Sequence, residues 1–421
     1  MATTPCEEIR SRELVVASRV FSKIFMGGLH ALVALVLLLA FVSSAHAAWY
    51  SANWQYRKKL TIDYTKVGAT LSHFPVLVSL TSDSDLAAHA RSDGYDILFT
   101  SSDGTTKLDH EIESYTSASG ALLAWVRIPS LSNSADTDIY LYYGYASATD
   151  QQNKTGVWGD GGSNYYKGVW HLKETSGTTI NDSTSNGYSG TTQGSPLLNQ
   201  TGQIGPAVNL RYSSTDYIQI TNEAAFDITN AITVSAWIKL TSWHQDYDVA
   251  VGKGGYTYRL QRYGSTDYLT FDVNTNSHGV QGSHGAASVA DSNWHYIVGT
   301  FDGTSVRFYQ DGTAATPSTF SSDTLGTSNY NLCIGMNLEE TRHWDGLFDE
   351  VRISTTARSA QWISTEYNNQ SNPGPGTGKF FKTLGSQEVN SDVTLAEHAA
   401  GQEADKFTSA SSVTGAELFA F

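Results

Sequence analysis

Residues 74–80 read FPVLVSL, in which apolar side chains recur at alternate positions from Phe74 to Leu80. Successive side chains of a β-strand point to opposite faces, so this spacing predicts a strand with one face in an apolar core. The alternation returns at residues 95–100, 122–128 and 138–144, and no segment here keeps helical spacing over three turns. We therefore predict a first domain, residues 49–160, that is built from β-strands.

A second β-domain is predicted over residues 165–370. Its clearest strands are residues 233–240, 295–301 and 306–310, and Asp-Gly pairs at 302–303 and 311–312 favour tight turns between them. One helix is expected at residues 359–369, because Ile363 and Tyr367 would lie one turn apart on one face. The predicted fold class is all-β, with two antiparallel β-sandwich domains.

The chain after residue 370 differs from both domains. Residues 371–378 are rich in Pro and Gly and predict a linker. Residues 379–421 hold one expected strand, at 379–388, followed by a tail. That tail is either the start of a further, truncated β-domain or a loosely ordered end.

The first 47 residues have the pattern of a secretory signal peptide. Four basic residues precede an apolar run at residues 29–42, and small residues follow it. A transmembrane helix needs about 20 apolar residues, so the shorter run favours cleavage over a retained anchor. We expect a mature protein without a membrane span, secreted to the extracellular space or held at the cell surface.

The charge balance limits the partners of the chain. Its 26 Lys and Arg residues face 41 Asp and Glu residues, which gives a net charge of −15 at pH 7. Nucleic-acid binding depends on clustered basic residues, so we predict no nucleic-acid partner. The excess of carboxylates suits either calcium binding or solubility outside the cell.

Six short blocks in the first domain carry a family resemblance. They are residues 54–58, 74–80, 93–99, 108–113, 124–129 and 140–144. Together they resemble the bacterial domain of unknown function numbered 2341, over about residues 54–160. The resemblance implies a β-rich extracellular module and no assigned activity.

Five blocks in the second domain carry another resemblance. They are residues 169–172, 182–187, 231–240, 294–312 and 344–353. They resemble the laminin-G-like jelly roll of the concanavalin-A-like lectin and glucanase superfamily, over about residues 165–370. This implies two antiparallel sheets with ligands held on the concave face or at the loop rim, and it does not by itself imply catalysis.

The jelly roll lacks the acid pattern of its catalytic relatives. Glucanases of this superfamily carry a Glu-x-Asp-x-Glu strand, and no such strand occurs in residues 165–370. The nearest acid pair is Glu111 and Glu113 in the first domain, which alternation places on one face of a strand. A hydrolase or lyase that uses this pair is therefore the alternative to a protein without catalytic activity.

Two acidic residues are candidates for a structural calcium ion. In the jelly-roll superfamily the position of Asp349 often supplies a carboxylate oxygen to calcium, and Asp182 lies in an early loop that can approach it. Calcium accepts six to eight oxygen ligands, including backbone carbonyls, so few carboxylates are needed. The competing interpretation is that Asp349 bonds a neighbouring loop and binds no ion.

Aromatic and charged residues between positions 243 and 268 suggest a sugar-binding surface. The candidates are Trp243, Tyr256, Tyr258, Arg259 and Arg262. Aromatic faces can stack on a pyranose while charged groups bond its hydroxyls. Alternation puts Tyr256 and Tyr258 on one face and Arg259 on the other, so only one set can face a ligand.

The sequence thus predicts a carbohydrate-binding, lectin-like protein whose ligand is a polysaccharide or glycan. The second alternative, beside the hydrolase or lyase, is a structural adhesin module with protein partners at the cell surface.

Overall fold

Strands dominate the computed structural model, which describes residues 47–159, 165–255 and 257–391. Apart from Ala47, the predicted signal peptide lies outside the described residues, as does the tail from residue 392. The all-β fold class is confirmed, with short helices between some strands. Among the described residues, no helix is both long enough and apolar enough to cross a membrane.

The first sandwich begins with seven strands before the gap at residue 160. They are β1 (Tyr56–Ile62), β2 (Leu71–Leu80), β3 (Leu98–Ser101), β4 (Lys107–Leu108), β5 (His110–Thr116), β6 (Ala121–Leu131) and β7 (Thr137–Tyr143). Short helices α1 (Ser84–His89) and α2 (Lys154–Val157) and a 3-10 turn at Tyr64–Lys66 connect them or follow them.

The jelly roll contains most of the other strands. They are β8 (Tyr166–Trp170), β9 (Thr179–Ile180), β10 (Gly190–Gln193), β11 (Leu197–Thr201), β12 (Pro206–Leu210), β13 (Tyr217–Ile220), β14 (Ile232–Leu240), β15 (Val249–Lys253), β16 (Tyr258–Arg262), β17 (Leu269–Thr275), β18 (Gly279–His284), β19 (His295–Phe301), β20 (Ser305–Gln310), β21 (Thr313–Ala314), β22 (Ser318–Thr319), β23 (Leu332–Ile334), β24 (Met336–Asn337), β25 (Arg342–His343) and β26 (Gly346–Ser354). Helix α3 (Ala360–Ser371) and strands β27 (Phe381–Leu384) and β28 (Glu388–Val389) follow, and 3-10 turns occur at Tyr212–Ser214 and Glu223–Phe226.

The described strands form two pairs of facing sheets and one small hairpin. In the first sandwich a sheet in the order β27-β1-β7-β3-β4, with β28 also paired to β1, faces the sheet β2-β6-β5. In the jelly roll the sheet β18-β17-β16-β15-β23-β13-β10-β9 faces the sheet β11-β12-β26-β14-β19-β20-β21, in which β8 pairs with β26 and β22 with β20. Strands β24 and β25 make the separate hairpin.

Strand β14 shows how alternation builds the jelly roll. Val234, Ala236 and Ile238 are fully buried in the core between the two large sheets. Trp237 points the other way, into a smaller apolar cluster with Ile363 of α3. Both faces of this central strand are therefore covered, which explains its nearly unbroken burial.

Helix α3 connects the two sandwiches. It begins one residue after the predicted start, because Ser359 is its N-cap and accepts a hydrogen bond from the Trp362 amide at 3.1 Å. The Asn369 side chain accepts from the Leu77 amide at 2.7 Å and donates to the Leu77 carbonyl at 3.0 Å. The helix therefore bonds the backbone of β2 in the first sandwich while it covers the jelly roll.

The chain after the jelly roll returns to the first sandwich, which the predicted division at residues 371–378 and 379–421 did not foresee. Leu384 in β27 pairs with Leu60, and Val389 in β28 pairs with Tyr56. The expected single strand is thus two short strands that extend the β1 sheet. The Pro- and Gly-rich segment is a tight return, in which the Gly376 amide donates to the Phe381 carbonyl at 2.9 Å.

Candidate functional site

Six ionisable residues meet where the two sandwiches pack together, and we call them the junction cluster. They are Glu111, Glu113, His171, Asp349, Glu350 and Arg352, and each is between 0 % and 8 % exposed. The apolar core of the first sandwich continues around them into the jelly roll, since Trp125 and Trp158 share a cluster with Val169 and Ile204. Charges at this depth are tolerated only when they are paired or hydrogen-bonded.

A β-bulge in β26 brings two acids of the cluster to the same side. Phe348 and Val351 both point into the jelly-roll core, although alternation alone would put residues three apart on opposite faces. The pairing of β14 with β26 shifts register here, and Glu350 adopts a positive φ of 51°. The extra residue therefore turns both Asp349 and Glu350 away from the core and towards the first sandwich.

His171 is the centre of the cluster. Its Nδ1 lies 2.6 Å from Glu350 Oε1 and 3.8 Å from Glu113 Oε2, and its Nε2 lies 3.3 Å from Glu111 Oε2. Arg352 donates to Glu350 Oε2 at 2.7 Å on the far side. One imidazole thus joins two acids of the first sandwich to the central strand of the second.

Burial and charge set the protonation of the cluster. Burial opposes the charged form of His171, but the carboxylates of Glu350 and Glu111 prevail and raise the pKa of His171 to about 10. Burial also opposes ionisation of Glu111, yet the charge of His171 holds the pKa of Glu111 well below its usual range. For Glu113 and Asp349, burial and the negative charge of Glu350 raise the pKa.

The acid pair considered for catalysis, Glu111 and Glu113, lies within this junction. Trp158 Nε1 donates to Glu111 Oε2 at 2.8 Å, and Trp125 Nε1 donates to Glu113 Oε2 at 2.9 Å. A polysaccharide chain could reach these carboxylates only if the sandwiches separated. In the described conformation the pair fixes one domain to the other.

The two acids predicted to bind calcium do not form a calcium shell. The Asp182 carboxylate accepts four hydrogen bonds of 2.8–3.0 Å, from the amides of Val169, Thr184 and Tyr188 and from the Thr184 hydroxyl. Asp349 accepts one from the Ile204 amide at 2.8 Å, and its raised pKa favours the neutral acid. Calcium needs several free oxygen ligands, and most oxygens of these two acids already accept hydrogen bonds, which argues against calcium binding here. Calcium binding at Asp182 and Asp349 remains a prediction.

A different group has the donor atoms of a metal site. Single ligand atoms of Glu113, His171 and Glu350 all lie within 4.8 Å of one another. The sequence offered only a partial signal, because Glu111 and Glu113 were recognised as a pair but His171 and Glu350 lie far from them in the chain. Only the packing of the two sandwiches brings these side chains together.

The second candidate site is exposed and lies at one end of the eight-stranded jelly-roll sheet. We call Tyr247, Tyr263, Tyr268 and His284 the aromatic rim. The three tyrosines are 37–41 % exposed, and His284 is also exposed. The Tyr263 and His284 rings stack with centroids 4.2 Å apart and planes 7° apart.

Neighbouring backbone contacts hold the aromatic rim together. The Tyr263 amide donates to the Tyr268 carbonyl at 2.8 Å, and the Tyr247 amide donates to the Gly264 carbonyl at 3.2 Å. Large exposed aromatic side chains grouped in this way are typical of ligand-contact surfaces.

A fixed carboxylate lies beside the stacked rings. Asp272 pairs with Gly282 on β18. The next pair on the same face of the sheet is Thr270 with His284, two residues further along each strand. Its two oxygens accept hydrogen bonds of 2.6 Å from Gln261 Nε2 and Thr270 Oγ1. Burial raises the pKa of Asp272, although these bonds act against the shift.

The predicted sugar-binding residues are divided by the structure. Tyr258 was expected to be a candidate, but it is fully buried and its hydroxyl donates to the Phe226 carbonyl at 3.0 Å, so it is a core residue. Arg259 lies on the opposite face of β16, as alternation required, and pairs with Glu340 at 3.2 Å. Tyr256 lies outside the described residues.

Trp243 and Arg262 are brought together beside the aromatic rim. The Arg262 guanidinium lies 4.6 Å from the Trp243 ring centre and donates to the carbonyls of Thr266 and Ser265. Arg262 therefore braces the turn between Tyr263 and Tyr268. Sequence reasoning missed Gln261, Asp272 and His284, although polar residues at alternate positions in β16 and β17 were a usable signal.

Two family models match separate parts of the chain. Residues 93–185 match the Domain of unknown function (DUF2341), and residues 212–364 match the Concanavalin A-like lectin/glucanases superfamily. The first match includes Glu111, Glu113 and His171, and the second includes Asp349, Glu350 and Arg352. No curated protein matches the chain.

Solved structures resemble the chain at low identity. The binding domain of Paraclostridial Mosquitocidal Protein 1 is 12 % identical with a TM-score of 0.40, over 49 % of this chain and 52 % of that one. The Botulinum Neurotoxin serotype G binding domain is 12 % identical with a TM-score of 0.39, over 48 % and 50 %. The chain therefore spans about half the length of these toxin domains.

Domain 4 of AbnA, a GH43 extracellular arabinanase from Geobacillus stearothermophilus in complex with arabinotriose, is 18 % identical with a TM-score of 0.36. That match covers 48 % of this chain and 97 % of the arabinanase domain. The two family matches occur in the order that the sequence blocks predicted. In this chain a match to the Domain of unknown function (DUF2341) is therefore followed by a match to the Concanavalin A-like lectin/glucanases superfamily.

Proposed function

We propose that this chain is a glycan-binding protein that works outside the cytoplasm and that its ligand contacts the aromatic rim. The observation that carries the proposal is the exposed stack of Tyr263 on His284 beside the anchored carboxylate of Asp272. Rings offer a flat surface to the apolar face of a sugar, and a fixed carboxylate accepts hydrogen bonds from its hydroxyls.

Preorganisation of the polar group favours binding. Gln261 and Thr270 are 0 % and 1 % exposed, and their hydrogen bonds to the two Asp272 oxygens hold that side chain in place. A ligand then meets an acceptor whose orientation is already fixed, which lowers the entropic cost of binding. The net negative charge of the chain favours neutral or basic glycans over anionic ones.

An immobilised panel of neutral, acidic and basic polysaccharides tests this proposal. We expect the protein to be retained on at least one neutral or basic glycan, and Tyr263→Ala to weaken binding about fivefold, since an aromatic contact contributes about 1 kcal/mol. The matched control is Tyr95→Ala, because Tyr95 is also 41 % exposed but lies in the first sandwich. Equal retention of both variants, or no retention on any glycan, would reject the rim as a glycan site.

Two additions to the same panel separate the alternatives. A chelator is expected to leave retention unchanged, because the oxygens of Asp182 are already bonded within the protein. New reducing ends or unsaturated products in the panel would instead indicate a hydrolase or lyase. Retention on a protein partner alone would favour the adhesin alternative.

A further inference from the structure

The junction cluster contains a set of donor atoms from three separate parts of the chain. Glu113 comes from β5, His171 directly follows β8, and Glu350 lies in the bulge of β26. One imidazole nitrogen and two carboxylate oxygens lie within 4.8 Å of one another. We propose that these three residues bind a divalent transition metal ion, with zinc as the probe, and that the ion holds the two sandwiches together.

The distances are close to those of a zinc shell. In the tetrahedral geometry of zinc, ligand atoms at about 2.0–2.2 Å from the ion are about 3.3–3.6 Å apart. His171 Nδ1 lies 3.8 Å from Glu113 Oε2 and 2.6 Å from Glu350 Oε1. To admit an ion, the hydrogen-bonded pair of His171 and Glu350 has to open by roughly 0.8 Å and lose the proton between its atoms.

The surrounding groups would orient each ligand. Glu111 Oε2 lies 3.3 Å from His171 Nε2, the nitrogen that would not bind the ion. Histidines that bind metals almost always donate this second N–H to a carboxylate or carbonyl. Trp125 Nε1 bonds Glu113 Oε2 at 2.9 Å, and Arg352 bonds Glu350 Oε2 at 2.7 Å, so both acidic ligands are held as well.

Unsatisfied buried oxygens point independently to a cation. Glu113 Oε1 and Asp349 Oδ1 are buried and have no hydrogen-bond partner among the described residues. A buried oxygen without a partner is costly, and a bound cation would satisfy it.

The chemistry of the donors favours a transition metal over calcium. A neutral imidazole nitrogen suits zinc and its neighbours, whereas calcium takes oxygen ligands. Binding must displace the proton from His171 Nδ1, so the ion and a proton compete for the same site. The site is enclosed, as structural zinc sites are, and the ion would enter while the chain folds.

The test is the zinc content of the full-length chain prepared in zinc-supplemented medium and then desalted. We expect about one zinc per chain in the wild type and less than about 0.1 in Glu113→Gln and His171→Gln. The matched control is His278→Gln, which removes a half-exposed histidine paired with Asp323 and should keep the zinc. Far-UV circular dichroism reports whether each variant is folded.

A second measurement decides the question even if the variants do not fold. Wild-type protein prepared with zinc should unfold at a higher temperature than protein prepared with a chelator, because an ion bound only to the folded state stabilises it. Wild-type protein with less than about 0.1 zinc and the same unfolding temperature in both preparations would overturn the proposal. Equal zinc contents in the wild type and a folded Glu113→Gln variant would also overturn it.

Discussion

The junction cluster and the aromatic rim both combine carboxylates with aromatic rings, but they differ in their access to solvent. Trp125 and Trp158 donate hydrogen bonds to the buried acids of the junction, whereas Asp272 lies next to the exposed His284 and its stacked partner Tyr263. Buried acids of this kind stabilise a domain arrangement, and an acid beside exposed rings can meet a ligand. The comparison teaches that the partners of a carboxylate, more than its presence, indicate its role.

The largest expected effect on stability is at the junction cluster. Arg352→Met removes the partner of Glu350 and leaves a buried carboxylate without its guanidinium, so we expect a loss of about 3–5 kcal/mol in the free energy of unfolding. Urea denaturation measures the loss. The control Lys59→Met breaks an exposed pair with Asp138 and should cost less than about 1 kcal/mol. Equal losses in the free energy of unfolding for the two variants would contradict the claim that a buried ion pair stabilises the fold more than an exposed one.

A second buried histidine, His110, sharpens the comparison because burial dominates its titration. Burial lowers the pKa of His110 to about 4, whereas carboxylates raise that of His171. Between about pH 6.5 and 4 the unfolded chain binds a proton at His110, whereas the folded chain does not. The free energy of unfolding therefore falls by about 3 kcal/mol as the pH falls through this range.

Urea denaturation at several pH values checks the titration of His110. In His110→Leu we expect the fall in stability between pH 7 and pH 4 to be smaller by about this amount, about 3 kcal/mol. Parallel pH profiles for the wild type and the variant would show that His110 is not held neutral.

An intermediate effect is expected where a buried cation meets a half-exposed acid. Arg57 is 1 % exposed and bonds Glu388 of β28 at 2.7 Å, while the Glu388 side chain is 35 % exposed. Glu388→Gln keeps the shape of the side chain but removes its charge, and we expect a loss of about 1 kcal/mol. Thermal unfolding measures it. An unchanged unfolding temperature would indicate that the returning strands contribute little to the first sandwich.

The smallest effect on stability is expected at the aromatic rim. Tyr263 is 41 % exposed, so Tyr263→Ala should change the free energy of unfolding by less than about 0.5 kcal/mol while it weakens glycan binding. Urea denaturation of the variant beside the wild type gives the value. A loss of several kcal/mol would mean that the stacked rings support the fold rather than a ligand.

Alternation predicted the strands and the cores of both sandwiches, because the period-two pattern reflects burial on one side of each strand. It also predicted that Tyr258 and Arg259 would face opposite sides, but it could not tell which side was the core. The structure answers this, since Tyr258 is fully buried between the sheets and Arg259 lies on the other face.

The junction cluster could not be predicted in the same way. Glu350 is 179 residues from His171 in the chain, and His171 is 60 residues from Glu111. The bulge that turns Glu350 towards them breaks the alternation on which the prediction rested. The return of β27 and β28 to the first sandwich was missed for a related reason, because short strands at a sheet edge carry too few residues for a pattern.

The most direct test of the account compares the two regions in one binding measurement. Wild type, Tyr263→Ala and Glu113→Gln are run by affinity electrophoresis through gels that contain the best-retained glycan. We expect Tyr263→Ala to lose most of its retardation and Glu113→Gln, if folded, to be retarded like the wild type. Loss of retardation in Glu113→Gln with normal retardation in Tyr263→Ala would contradict the assignment of glycan binding to the aromatic rim.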